Sequence, residues 1–185
     1  MTSDSRPLDL LRRALQQTQS VIDGVRPDQA ALPTPCASWD VKALLNHVVR
    51  DTHQFARMAR GGAYERGESD VPMDEFSQHF RQGAAGLLDT WSELWEPDAA
   101  AVNRISQQVA EFAVHSWDVA KATQQPVPVD DEVAGLALDW ARGALKPEFR
   151  GDEASGKVFG PEVPIADDAP LHDRLAAFFG RQPFN

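Results

Sequence analysis

Cysteine is nearly absent from this 185-residue chain. Cys36 stands alone, which excludes an intrachain disulfide and a thiolate-rich metal site, so any metal here must be held by His and carboxylate. Positive charge is scarce as well. Eighteen Lys and Arg against 28 Asp and Glu give a formal net charge of −10 and a pI near 4.9, a balance that repels nucleic acid and anionic membrane alike. No basic run offsets it. The chain has no apolar stretch approaching the roughly 18 residues of a membrane span, and its first residues, MTSDSRPLDL, contain no apolar signal segment; the expected location is the cytoplasm. GxGxxG, P-loop, GxSxG and HExxH are missing too, so none of the more telling enzyme motifs points to a function. Internal repeats are absent, and no alternating strand pattern stands out beyond a short KVFG piece at 157–160.

What remains is the composition of an ordinary globular protein, with 42% apolar and 25% charged residues and five Trp and nine Phe to fill a core. The length fits one domain over 1–185. Leu8, Leu11, Leu15, Thr18, Ile22 and Val25 recur at spacings of three and four behind Pro7, which predicts a first helix over 7–24. A Pro-rich connection follows, and Ser38 offers a cap for a second helix from Trp39 to about Arg60, ended by Gly61 and Gly62. After a polar loop at 63–72, Phe76, Phe80, Gly83, Leu87, Trp91 and Leu94 mark the inward face of a third helix ending near Trp95. Pro97 and Asp98 open a fourth, with Ile105, Val109, Phe112, Ala113, Ser116, Val119, Ala120 and Thr123 as its stripe. Asp130 can cap a fifth helix with Val133, Ala137, Trp140 and Ala144 inward, and LHDRLAAFFG is a short sixth closed by Gly180. The expected fold is all-α: a four-helix bundle over about 7–125 with short helices in a C-terminal extension over about 126–185. Such a bundle can pair as a homodimer, although no apolar face is surplus to the core.

The fourth helix contains EFAVHSWDVA, in which Glu111, His115 and Asp118 form a polar row at helical pitch. A Glu four residues before a His is a weak signal alone, and a solvated pair is its commoner meaning. The angular placement favours a site, since the row runs along the margin of the apolar stripe, with Val114 opposite. His47 has a matching position on the second helix, with Asp51 one turn further on. One His from one helix and a Glu and His one turn apart on another supply three ligands and leave a coordination position open. This set suits Zn²⁺ and also serves Fe(II) or Ni²⁺. His53, His79 and His172 have no such partner spacing. Cys36 precedes a helix start, where a lowered thiol pKa is conceivable, but a small packed Cys is the commoner case.

PTPCASWDVKALLNHVV, then EFAVHSWDVAKAT, VFGPEVPI and DRLAAFFGRQP, resemble the mycothiol-dependent maleylpyruvate isomerase family, a branch of the DinB-like superfamily. The resemblance implies a DinB-like four-helix bundle with a divalent metal, usually zinc, on a His of the second helix and an ExxxH pair of the fourth, here His47, Glu111 and His115. It also implies mycothiol, a low-molecular-weight thiol, as cofactor or cosubstrate. The chain departs from the isomerase in lacking room for that enzyme's sizeable second domain. The expectation is therefore a divalent-metal-dependent thiol S-transferase acting on a small electrophile, with Asp118 supporting a ligand imidazole. Its rivals are a non-catalytic metal-binding or sensor protein, a mycothiol-dependent isomerase and a metal-dependent hydrolase.

Overall fold

The computed structural model describes residues 5–37, 39–65, 67, 70–128, 130–151, 157 and 159–183. Among these the regular structure is helical: α1 (Arg6–Asp23), α2 (Val41–Ala59), α3 (Phe76–Leu94), α4 (Ala99–Ala122), α5 (Asp131–Ala144) and α6 (Leu171–Phe178), with 3₁₀ turns at Pro27–Gln29 and Pro147–Phe149. This is the all-α, DinB-like bundle. In the KVFG piece, Phe159 makes only an isolated parallel bridge with Arg150, and Val158 lies outside the described residues.

Helix starts follow from side-chain capping of the backbone N–H groups that have no partner within the helix. Asp40 accepts from the Ala43 N–H at 2.8 Å, Asp98 from Ala101 at 2.7 Å, and Asp130 from both Glu132 and Val133. Ser38, the expected cap of α2, lies outside the described residues; Asp40 holds that role.

α4 is the hub. It packs along α1, α5 and α2 and touches α6, while α2 pairs with α3. Phe112 of α4 sits edge-on between Phe55 of α2 and Phe80 of α3, with ring centroids 5.8 and 6.0 Å away. Trp91 donates its indole N–H to Gln108 at 2.9 Å, which satisfies both buried groups between α3 and α4.

Three expectations about helix faces are corrected. Val114 is buried rather than opposite the stripe: every residue from Phe112 to Ala120 except the half-buried Ala113 is buried, because α4 is covered on several sides and has no outward face over these turns. Leu94 is exposed at the frayed end of α3, where Trp95 turns extended. In α5, Ala141 and Leu138 line the core with Val133 and Ala137, whereas Ala144 and Trp140 are half-buried.

Candidate metal centre

α2 and α4 bring His47, Glu111 and His115 together, with one ligand atom from each lying within 4.8 Å of the others. Glu111 Oε1 is the meeting point, 2.9 Å from His47 Nε2 and 3.1 Å from His115 Nε2. His115 is nearly buried, while His47 and Glu111 are half-buried and face the solvent side. Trp39, just before α2, stacks on His47 at 4.4 Å between centroids and reaches His115 at 5.8 Å.

Behind His115, its Nδ1 lies 3.0 Å from Asp118 Oδ2. The carboxylate can only accept, so Nδ1 donates and the Nε2 lone pair is directed at Glu111 whenever the ring is neutral. Asp118 is fully buried. It is also held by a two-pronged ion pair from Arg181, whose Nε and Nη2 donate to its two oxygens at 3.1 and 2.9 Å. Asp118 thus meets the His115 imidazole, as expected, and an Arg as well. Sequence reasoning missed Arg181, since a lone Arg near the end of the chain carries no spacing signal.

Burial alone would lower the His115 pKa, but the charges of Glu111 and Asp118 prevail and push it up to about 9. Burial works against Glu111 ionisation too, yet His115 and His47 hold its carboxyl far below the usual range. For Asp118 the Arg181 charge and the His115 hydrogen bond outweigh desolvation in the same direction. His47 can meet the Glu111 oxygen as a neutral donor, but His115, whose Nδ1 already donates to Asp118, turns its Nε2 to that same oxygen, and this contact requires a cation, either a proton or a metal ion.

Asp51, one turn along α2 from His47, gives a second sign of the same kind. Its Oδ2 lies 3.4 Å from His47 Nε2, and its Oδ1 is buried without a hydrogen-bond partner among the described residues. Burial raises its pKa to about 6. The neighbouring row of α2 opposes metal at one point: Arg50 Nη2 donates to His47 Nδ1 at 3.0 Å. A guanidinium cannot accept, so Nδ1 does, and the proton of a neutral His47 ring then sits on Nε2. With the carboxylates and imidazoles facing one another and an orphaned oxygen beside them, the residues fit a divalent ion with N and O ligands, once Arg50 gives up Nδ1.

A cleft of about 620 Å³ opens beside His47, lined by Trp39, Lys42, Asn46, Arg50 and Asp70. Near it, three described residues are tied to one row of α2: Asn46 accepts from the Val71 N–H, Arg50 donates to Gly67 O, and Gln54 exchanges two hydrogen bonds with the Glu65 backbone. Of the remaining His residues, His53 is exposed, His79 pairs with Glu75 at 3.3 Å and His172 lies 3.6 Å from Asp173. Cys36 stays outside the donor cluster, though it is near enough to Arg181 to add to its electrostatic environment. No described helix is long and apolar enough to cross a membrane.

Two uncharacterized proteins of Mycobacterium tuberculosis, from strains CDC 1551 / Oshkosh and ATCC 25618 / H37Rv, are each 32% identical to the chain over 180 residues, covering 95% of it and 97% of the relative. No solved structure matches significantly. The model of the mycothiol maleylpyruvate isomerase N-terminal domain matches residues 11–120, a stretch that includes His47, Glu111, His115 and Asp118, and the chain belongs to that family.

Proposed function

We propose that the chain is a divalent-metal-dependent thiol S-transferase that uses mycothiol or a similar low-molecular-weight thiol as nucleophile. His47, Glu111 and His115 hold the metal, most simply Zn²⁺. The observation that carries this reading is the convergence of their donor atoms within 4.8 Å, in a chain of a family whose name joins mycothiol to isomerisation. Three protein ligands leave a position open for an exogenous group, the arrangement of a catalytic rather than a structural site.

A bound divalent ion supplies acidity, bringing the thiol to its thiolate form near neutral pH. The chain's own residues do the rest. Asp118 orients His115 and holds its Nδ1 proton, Glu111 contributes negative charge, and Trp39 packs against both imidazoles. The cleft beside His47 leaves room for a thiol and a small electrophile to enter from the same side.

Metal analysis of the purified protein, followed by calorimetric titration with mycothiol, tests this reading. One equivalent of divalent metal, lost in His47→Ala with the fold intact, and thiol binding that depends on the metal are the expected results. Incubation with thiol and a panel of electrophiles should then yield a thioether. Tight metal binding without turnover would instead identify a sensor, an acid or alcohol product a hydrolase, and rearrangement without consumption of thiol an isomerase. A protein with no stoichiometric metal refutes the proposal outright.

A further inference from the structure

α6 ends in a turn that places one side chain against the back of the metal centre. Gly180 has φ +84°, its N–H donates to Ala177 O at 3.0 Å, and the Arg181 N–H donates to Ala176 O at 2.9 Å. This pair of bonds across a left-handed residue is the Schellman arrangement, in which glycine is favoured because it has no Cβ. A Cβ at Gly180 would fall 3.0 Å from both Gly160 Cα and Pro161 O. The turn therefore has one tight geometry, and it sends Arg181 back toward α4.

There Arg181 is nearly buried, 9% exposed. Besides its fork onto Asp118, its Nη1 donates to Phe179 O at 2.8 Å, and the tail beyond it is tied by Lys121 Nζ to Pro183 O at 3.1 Å. A buried bidentate Arg–carboxylate pair has one low-energy orientation. It fixes both Asp118 oxygens and leaves Oδ2 in line with His115 Nδ1.

We infer that Arg181 is a positioning residue of the metal centre. Through Asp118 it fixes the ring orientation and the Nδ1–H form of His115, so that metal affinity and ligand geometry depend on a residue of the C-terminal segment, outside the 11–120 stretch that carries the donors. The inference rests on the proposed metal site but not on the S-transfer chemistry. Partners of a ligating His at this remove commonly change metal affinity by about 10–100-fold when altered.

The test is cobalt(II) titration of the full chain, in which the visible absorption of bound Co²⁺ reports ligand geometry and competition with a chelator reports affinity. Arg181→Gln should weaken binding about 10–100-fold and alter the absorption band, whereas Arg181→Lys, which keeps the charge but loses the fork, should fall between it and wild type. In an Asp118→Asn background, Arg181→Gln should cost little more, because both changes cut the same connection. Cobalt binding by Arg181→Gln as tight as wild type, or an undiminished loss in the Asp118→Asn background, overturns the inference. Should Arg181→Gln unfold by circular dichroism, the Lys variant carries the test, and wild-type affinity and spectrum in it overturn the inference as well. A wild-type chain that takes up no cobalt refutes the metal site itself, an outcome distinct from wild-type binding with an indifferent Arg181.

Discussion

At the scale of single residues, the proposed metal would compete with a proton for the same place. His115 lies between Glu111 and Asp118, and its pKa of about 9 means that near neutrality the metal-free ring is an imidazolium. Metal binding must expel that proton, because a ligating imidazole is neutral on the ligating nitrogen. Apparent affinity should therefore rise about tenfold per pH unit from pH 7 to about pH 9 and level off above it, with proton release measurable by calorimetry in buffers of different ionisation enthalpy. An affinity flat across that range would refute the assignment of His115 as a ligand. Arg50 competes at the other imidazole, since its guanidinium occupies His47 Nδ1, which must carry a proton when Nε2 ligates. Arg50→Met removes both that hydrogen bond and a positive charge, and the two effects share a sign. Chelator competition should show metal affinity raised by about tenfold, consistent with a charge-assisted hydrogen bond of about 1.5–3 kcal/mol partly regained elsewhere. Unchanged or weaker binding would mean that Arg50 does not restrain His47.

At the scale of elements, the site depends on how closely the helices approach. Gly83 of α3 faces Thr52 of α2, and a Cβ there would fall 2.8 Å from Thr52 Cβ. Thr52 is fully buried next to Asp51, so it has no space to yield. Gly83→Ala should cost about 1–3 kcal/mol through overpacking, measured by urea unfolding. It should also weaken metal binding, because α2 carries His47. The helices themselves were legible because Leu, Val and Phe recur at spacings of three and four and because Asp98 and Asp130 cap where expected. That His47, Glu111 and His115 could face one another was legible for a related reason: the rows at 47 and 51 and at 111, 115 and 118 follow helical pitch. Val114 was misplaced because periodicity on one helix cannot reveal how many neighbours cover it. Arg181 was invisible because its role comes from a chain reversal and a contact with a residue 63 positions away, which no local pattern records. Arg50 was overlooked for a different reason, as the direction of a hydrogen bond to His47 requires atoms rather than spacings.

At the scale of the whole molecule, the buried charges couple stability to pH and, through the proposed metal site, to metal. The folded metal-free chain binds the His115 proton more tightly than an unfolded chain does, with a pKa of about 9 against 6.5. Its contribution is fully present below pH 6.5 and is lost as pH rises through about 9, because above that point neither state holds the proton. The size is on the order of 3 kcal/mol, the free-energy equivalent of that difference for a nearly buried group. Asp51 acts with the same sign in a lower window, losing its contribution as pH rises from about 4 to about 6. Glu111 and Asp118 have depressed values, so their contribution is instead lost under acid, as pH falls below the ordinary carboxylate range. In the presence of a chelator, unfolding free energy should thus decline between pH 6.5 and 9. Excess zinc should flatten or reverse that decline, since an ion that binds only the folded chain stabilises it more as the competing proton departs. Urea unfolding at pH 6.5, 7.5 and 9, with chelator and with zinc, separates the cases. Equal stability at pH 6.5 and 9 in chelator would mean that the folded chain does not hold His115 as an imidazolium. A decline that zinc leaves untouched would mean that the proton is held there without a metal ever taking its place.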